Sequence, residues 1–344
     1  MARTQRSKSA ILVAGALGAA LLGGAGLPAP AQAETKLLFN LFVPATHPFN
    51  TGLIQPWAKD VARVTENRVK VEFTTSSLAP PTKQWNMVTS GIADVAMLND
   101  VFERNRLKLP GIAELPFAGD SAVQRSVALW RTSEKFFTPA NEYKGVKLLA
   151  LWAVSGTNLY LTEKPITKME DLQGTKIWAN GGMPKEMLTA LGAVVVTSPG
   201  VQIFDYVSKG IVEGMAAPPY LRDVFKLDRY IKYATKVPGG LYSQAFSMFM
   251  NEDKWNAIDK HDQDLIMSVS GEYAAHNVGV EVDNLDAKAV KNAAAKGVQE
   301  TVASPEFVAE MRKRFGFVTD AWLKAAKERG IDGPAAIKYY KSQM

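Results

Sequence analysis

From residue 35 onward the apolar positions change period in a regular order. Thr35 to Val43 is a nearly unbroken apolar run and predicts a buried strand. Leu53, Ile54, Trp57, Ala58, Val61 and Val64 then recur at three- and four-residue spacings, the signature of one helix face. Val69 to Phe73 alternates as a strand does, a short helix around Lys83 to Thr89 stops at Gly91, and Ala93 to Leu98 reads as a third strand. Strand and helix in strict alternation imply parallel strands with helices on both faces.

The middle of the chain repeats the pattern. Val146 to Val154 predicts a strand, and Asn158 to Thr162 continues it beyond Ser155-Gly156. Lys168 to Leu172 is a short helix ended by Gly174, and Thr175 to Ala179 is a strand. Pro184 suits the first turn of the next helix, because proline lacks only an N–H that has no partner there, and Gly192 suits its end. Ala193 to Thr197 predicts another buried strand, Gln202 to Lys209 a helix, and Ile211 to Met215 the strand that closes the second unit. Gln244 to Asn251 predicts a strand that returns to the first sheet. Gln263 to Val302, free of proline and rich in alanine, predicts one long helix or two joined ones. The break at Arg329 to Pro334 precedes a last short helix.

The expected architecture is an α/β, two-lobed fold of the periplasmic binding protein type, with hinge strands and a long C-terminal helix across both lobes. Lobe I spans 34–155, with 243–283 returning to it. Lobe II spans 156–242, with the helices of 284–344 packing on it. Such lobes close on a ligand by hinge bending.

Residues 1–33 change the picture by placing the protein. Arg3, Arg6 and Lys8 precede the apolar run Ala10 to Leu27, and Ala31-Gln32-Ala33 offers the small-x-small pattern of a signal-peptide cleavage site. The expectation is export to the periplasm with cleavage after Ala33, and no cysteine exists to carry a lipid anchor. Loss of the leader lowers the formal net charge from +6 to +3. With no basic stripe, nucleic acid is not an expected partner.

Candidate catalytic chemistry is sparse. The absence of cysteine excludes disulfides, iron–sulfur clusters and thiolate zinc sites. His47, His261 and His276 stand in no metal-ligand spacing, so no metal or other cofactor is expected. His47 follows the first strand, where loops line binding crevices. Asp100 and Glu103 form a possible acid–base pair, but Arg104 and Arg106 follow at once and favour a solvated charged turn. No nucleophile elbow or phosphate loop is present, and an enzyme is not expected.

The stretch from Asp171 to Pro219 resembles the signature of the receptors of TRAP (tripartite ATP-independent periplasmic) transporters, the DctP family. Asp171, Leu172, Gly174, Lys176, Leu191-Gly192-Ala193 and Gly210-x-Val212-Glu213-Gly214 match its pattern. Ser90-Gly91-x-x-Asp94-Val95 and Glu114-Leu115-Pro116-Phe117 resemble further family segments. The resemblance implies a receptor that hands a small organic molecule to the small and large membrane subunits of a permease. A receptor that signals to a membrane sensor kinase is the alternative.

The departures from the pattern concern the ligand. Family members normally carry an arginine after Gly-x-Lys-hydrophobic, where it pairs with the ligand carboxylate; here that residue is Trp178. Asn158 stands where some members have a second arginine, and Ala217 where many have asparagine. Positions resembling the first lobe's contacts are Val43, Asn99 and Phe102. Asn180, Phe42, Trp152, Tyr220 and His47 complete the candidate ligand set. Two ligand classes fit: an uncharged, mostly apolar molecule, or an aromatic or hydrophobic carboxylate whose anion meets backbone N–H groups near Gly182-Met183-Pro184.

Overall fold

A computed structural model describes residues 34–44 and 46–344; the leader lies outside them. The strands are β1 (Thr35–Asn40), β2 (Val69–Phe73), β3 (Val95–Asn99), β4 (Val146–Ala153), β5 (Asn158–Leu161), β6 (Lys176–Ala179), β7 (Val194–Thr197), β8 (Gly214–Ala217), β9 (Tyr233–Lys236), β10 (Ala245–Asn251) and β11 (Gln299–Val302). They form two sheets, in the orders β2-β1-β3-β10-β4 and β11-β9-β5-β8-β6-β7.

In the first sheet β1 pairs parallel with both β2 and β3, as alternating strands and helices require. β10 enters antiparallel between β3 and β4, so the late strand does return to the first sheet. In the second sheet β6 is parallel to β7 and β8, while β5 runs antiparallel to β8 and β9. β7 is an edge strand with Val194 48% exposed, not the buried strand its valines predicted. A β-branched run fits any pleated surface, so composition alone does not place it at the centre of a sheet.

Two of the crossings between the sheets, β4 to β5 and β9 to β10, run side by side. Thr157 N donates to Tyr242 O and Leu241 N to Thr157 O, which binds one crossing to the other. Gly156 and Gly240 meet backbone to backbone: a Cβ on Gly240 would lie 2.4 Å from Gly156 Cα. Gly240 also has φ +71°, which disfavours any side chain there.

The helix Gly271–Ala295 spans both halves. Asp283 accepts from Ser121 Oγ (2.6 Å) and Ala122 N (2.6 Å), capping the helix Ala122–Thr132 of the first lobe. Three residues on, Asp286 accepts from Tyr220 N (2.8 Å), capping Pro219–Val224 of the second. Both side chains accept from N–H groups that the first turn of a helix leaves without an intrahelical partner.

Two expectations change at the C-terminus. Gln299–Val302 is a strand, β11, added to the second sheet beside β9. The last two helices, Gly316–Glu328 and Gly333–Ser342, pack on the first lobe and not the second. Trp322 Nε1 donates to Leu109 O (3.0 Å), which fastens them there. Their apolar faces carry no mark of which lobe they cover, since burial is non-directional.

Candidate functional site

Between the two sheets lies a cleft walled from both lobes, with Phe42, Phe49 and Phe246 on one side and Trp178, Tyr220 and Phe225 on the other. Among the described residues, its walls hold no Asp, Glu, Lys or Arg side chain. Eight of the ten sequence-predicted residues line it: Phe42, Val43, His47, Asn99, Phe102, Trp178, Asn180 and Tyr220.

Two do not. Trp152 is fully buried behind the wall, stacked on Phe246 at 5.8 Å and edge-on to Phe49 at 5.8 Å. Asn158 accepts from Val237 N (2.8 Å) and faces a separate acidic cavity beside Asp120 and Asp286. The short side chain serves the turn and points away from the cleft.

The local chemistry defines what Trp178 offers the cleft. Its Nε1–H donates to Ser198 Oγ (2.9 Å), so the indole offers the cleft an apolar face and no donor. The beginning of the helix Met183–Ala190 likewise faces elsewhere. Gly182 abuts Val101 and Arg104 and lines a second cavity with Glu114 and Glu186, which removes its N–H groups as the anion holder of the aromatic cleft.

Residues the sequence reading missed dominate the remaining wall. Phe49, Phe225 and Phe246 supply aromatic surface, and Gln244 supplies a polar centre. Phe49 sits 5.1 Å from both the His47 ring and the Phe246 ring. Strand alternation is the signal that would have found Gln244 and Phe246, because they share one face of the crossing segment while Ala245 faces the second cavity.

The polar groups are few and ordered. Gln244 Oε1 accepts from Asn180 Nδ2 (2.6 Å) and from Asn99 Nδ2 (3.3 Å), which joins the second lobe to the first. His47 Nδ1 accepts from Phe49 N (3.2 Å), and burial lowers its pKa to about 4, so the ring is neutral with its proton on Nε2.

Outside the cleft, Asp100 is not the solvated turn acid expected of it. It is 4% exposed and accepts from Ser247 Oγ and from Tyr143 Oη (3.3 Å). Burial raises it to about 7 against the pull of those two bonds, and burial likewise raises Asp286 to about 7. In both, the native carboxyl keeps a proton that the unfolded chain has lost, so the stability each lends is present at low pH and fades as pH rises through about 7. His47 has the opposite sign: its contribution is lost as pH falls from 6.5 through about 4. Burial raises Glu114 as well, to about 8, so Tm is expected to fall by about 3–6 °C between pH 6.5 and 8.5, and the Asp286→Asn variant to show a shallower slope. Scanning calorimetry across that interval checks it, and a flat profile would contradict it.

The comparisons with known proteins agree with this geometry. Residues 39–325 match the family model DctP, described as bacterial extracellular solute-binding protein, family 7. A Comamonas testosteroni protein named outer membrane transporter protein TsaT is 36% identical, over 94% of this chain and 96% of its own length. A TRAP periplasmic solute-binding protein from Bordetella bronchiseptica, solved with bound (R)- and (S)-mandelate, is 33% identical with a TM-score of 0.87, over 90% of this chain and 98% of that one. A marine-metagenome TRAP protein specific for aromatic acids, solved with 3-hydroxybenzoate, is 28% identical with a TM-score of 0.82, over 90% and 98% of the two chains.

Proposed function

This chain belongs to the DctP family of bacterial extracellular solute-binding proteins, the receptors of TRAP transporters, and we propose that its ligand is a small aromatic or hydrophobic organic acid. The observation that carries the reading is a cleft with aromatic residues from both lobes and, among the described residues, no Asp, Glu, Lys or Arg on its walls. Such a surface favours a planar apolar body by area and ring contacts, and offers a second carboxylate no cationic partner. The aromatic acids held by the two structural relatives point to the same class.

In this reading the leader is removed after Ala33 and the mature receptor works in the periplasm. It binds its ligand between the lobes, closes, and presents the closed form to the small and large membrane subunits of a TRAP permease, with no catalysis of its own. Closure follows binding only if the ligand contacts both lobes, because equal affinity for open and closed forms shifts nothing.

A thermal-shift screen of residues 34–344 tests the ligand class. Benzoate and mandelate, each at ~100 times its Kd, are expected to add about 2.7 kcal/mol of stability, with succinate and malate at equal concentrations adding none. Stabilisation by the dicarboxylates alone would overturn the proposal.

A further inference from the structure

Gln244 occupies an unusual place in the cleft. It lies just before β10 where the chain crosses between lobes, and its backbone O accepts from Val154 N (3.1 Å). It is 5% exposed. Its side-chain oxygen accepts from Asn99 of the first lobe and Asn180 of the second. An amide oxygen has two lone pairs, so these bonds complete it. Asn99 Oδ1 is held by Val101 N (3.2 Å), which turns Asn99 Nδ2 toward Gln244 and fixes which end of the Gln244 carboxamide is nitrogen. That nitrogen, Nε2, is buried and has no hydrogen-bond partner among the described residues, although its residue lines the cleft.

A buried donor left unpaired costs about 1–3 kcal/mol, and native proteins seldom carry that cost without use. The phenylalanine rings around it supply no acceptor, and the Nδ1 acceptor of His47 is already committed to Phe49 N. The side-chain nitrogens of Gln244 and His47 therefore leave the cleft facing N–H donors.

We propose that Gln244 receives the polar end of the ligand as a neutral hydrogen-bond donor, which makes this receptor selective for a group that only accepts, such as a carboxylate. This rests on the reading of the cleft as a site for an aromatic acid. The assignment explains how an anion is held where Trp178 stands in place of the family's arginine. It also links recognition to closure. A ligand oxygen on Nε2 polarises the amide and strengthens the Oε1 bond to Asn180, which exists only when the second lobe is against the first.

Benzoate and its neutral isostere benzamide, which carries donors of its own, separate the possibilities. Calorimetric titration at neutral pH compares the unmodified chain with Gln244→Glu and Gln244→Met. The unmodified chain is expected to prefer benzoate. Gln244→Met should bind benzoate roughly 10- to 100-fold more weakly. Gln244→Glu keeps the oxygen that faces Asn99 and Asn180 but turns the donor into an acceptor, so its preference should reverse toward benzamide. Benzoate affinity within threefold of the unmodified chain in both variants would overturn the assignment while leaving the ligand class intact. Failure of the unmodified chain to bind either probe would overturn both. Should the variants not fold, the Gln244 side-chain amide resonance of the labelled, unmodified protein decides: it moves downfield on saturation with benzoate if the donor is used, and an unmoved resonance overturns the assignment.

Discussion

Placing an arginine at position 178, as the family normally has it, is expected to destabilise this protein by about 3–5 kcal/mol and to leave it unable to bind short dicarboxylates. Trp178 is fully buried, packs in a cluster with Tyr160, Ile203, Val207 and Met215, and holds Ser198 through its indole N–H. Trp178→Arg removes that packing and brings a guanidinium to a wall without a carboxylate. An unpaired buried charge is among the most costly changes a core admits. Urea unfolding measures the loss, and titration with succinate measures the gain, if any. A variant as stable as the parent that binds succinate would mean the surrounding cleft still suits an ion pair, and the aromatic reading would fail with it.

The second large effect is expected at Arg125, which the cleft does not use. Its guanidinium is fully buried and is spread over three backbone carbonyls: Gly119 O (2.8 Å), Ala113 O (3.1 Å) and Gly239 O (3.2 Å). The last belongs to the crossing between lobes, where Gly119 N also donates to Gly239 O (3.1 Å) and Phe117 N to Gly240 O (2.9 Å). Arg125 therefore ties the first lobe's loop to the hinge. Each charge-assisted bond contributes about 1.5–3 kcal/mol, and their loss takes the donor from the carbonyls of Ala113 and Gly119, while Gly239 O keeps Gly119 N. Arg125→Met is expected to lower stability by about 3–5 kcal/mol, and Arg125→Lys to recover less than half, since an ammonium cannot reproduce the planar fork. Calorimetric melting of the two variants checks this. A Met variant melting within a degree of the parent would show that the hinge does not depend on the guanidinium.

Much of this was legible in the chain itself. Periodicity located the parallel strands of both sheets, because a period of two or of 3.6 is imposed by backbone geometry before any tertiary contact forms. The apolar run at Gln244 to Asn251 was expected back in the first sheet and is found there. His47 was expected in a crevice-lining loop after the first strand and lines the cleft, while Asn99 and Phe102 came from the family resemblance. The substitution at Trp178 pointed to an apolar ligand class from one residue.

Other features were decided only by folding. β9 (YATK) and β11 (QETV) carry no apolar run, and pairing makes them strands: β9 against β5, and β11 against β9. The lobe that receives the final helices depends on which apolar face lies within reach. The polar centre of the cleft joins Gln244 to residues 145 and 64 positions away, and Trp178 lost its free N–H to a serine 20 positions on. A hydrogen bond has direction and a reach of about 3 Å. The chain's own pattern therefore determined which residues are buried and in what kind of element, while only the packed lobes decided which donors meet which acceptors and which donor faces the ligand.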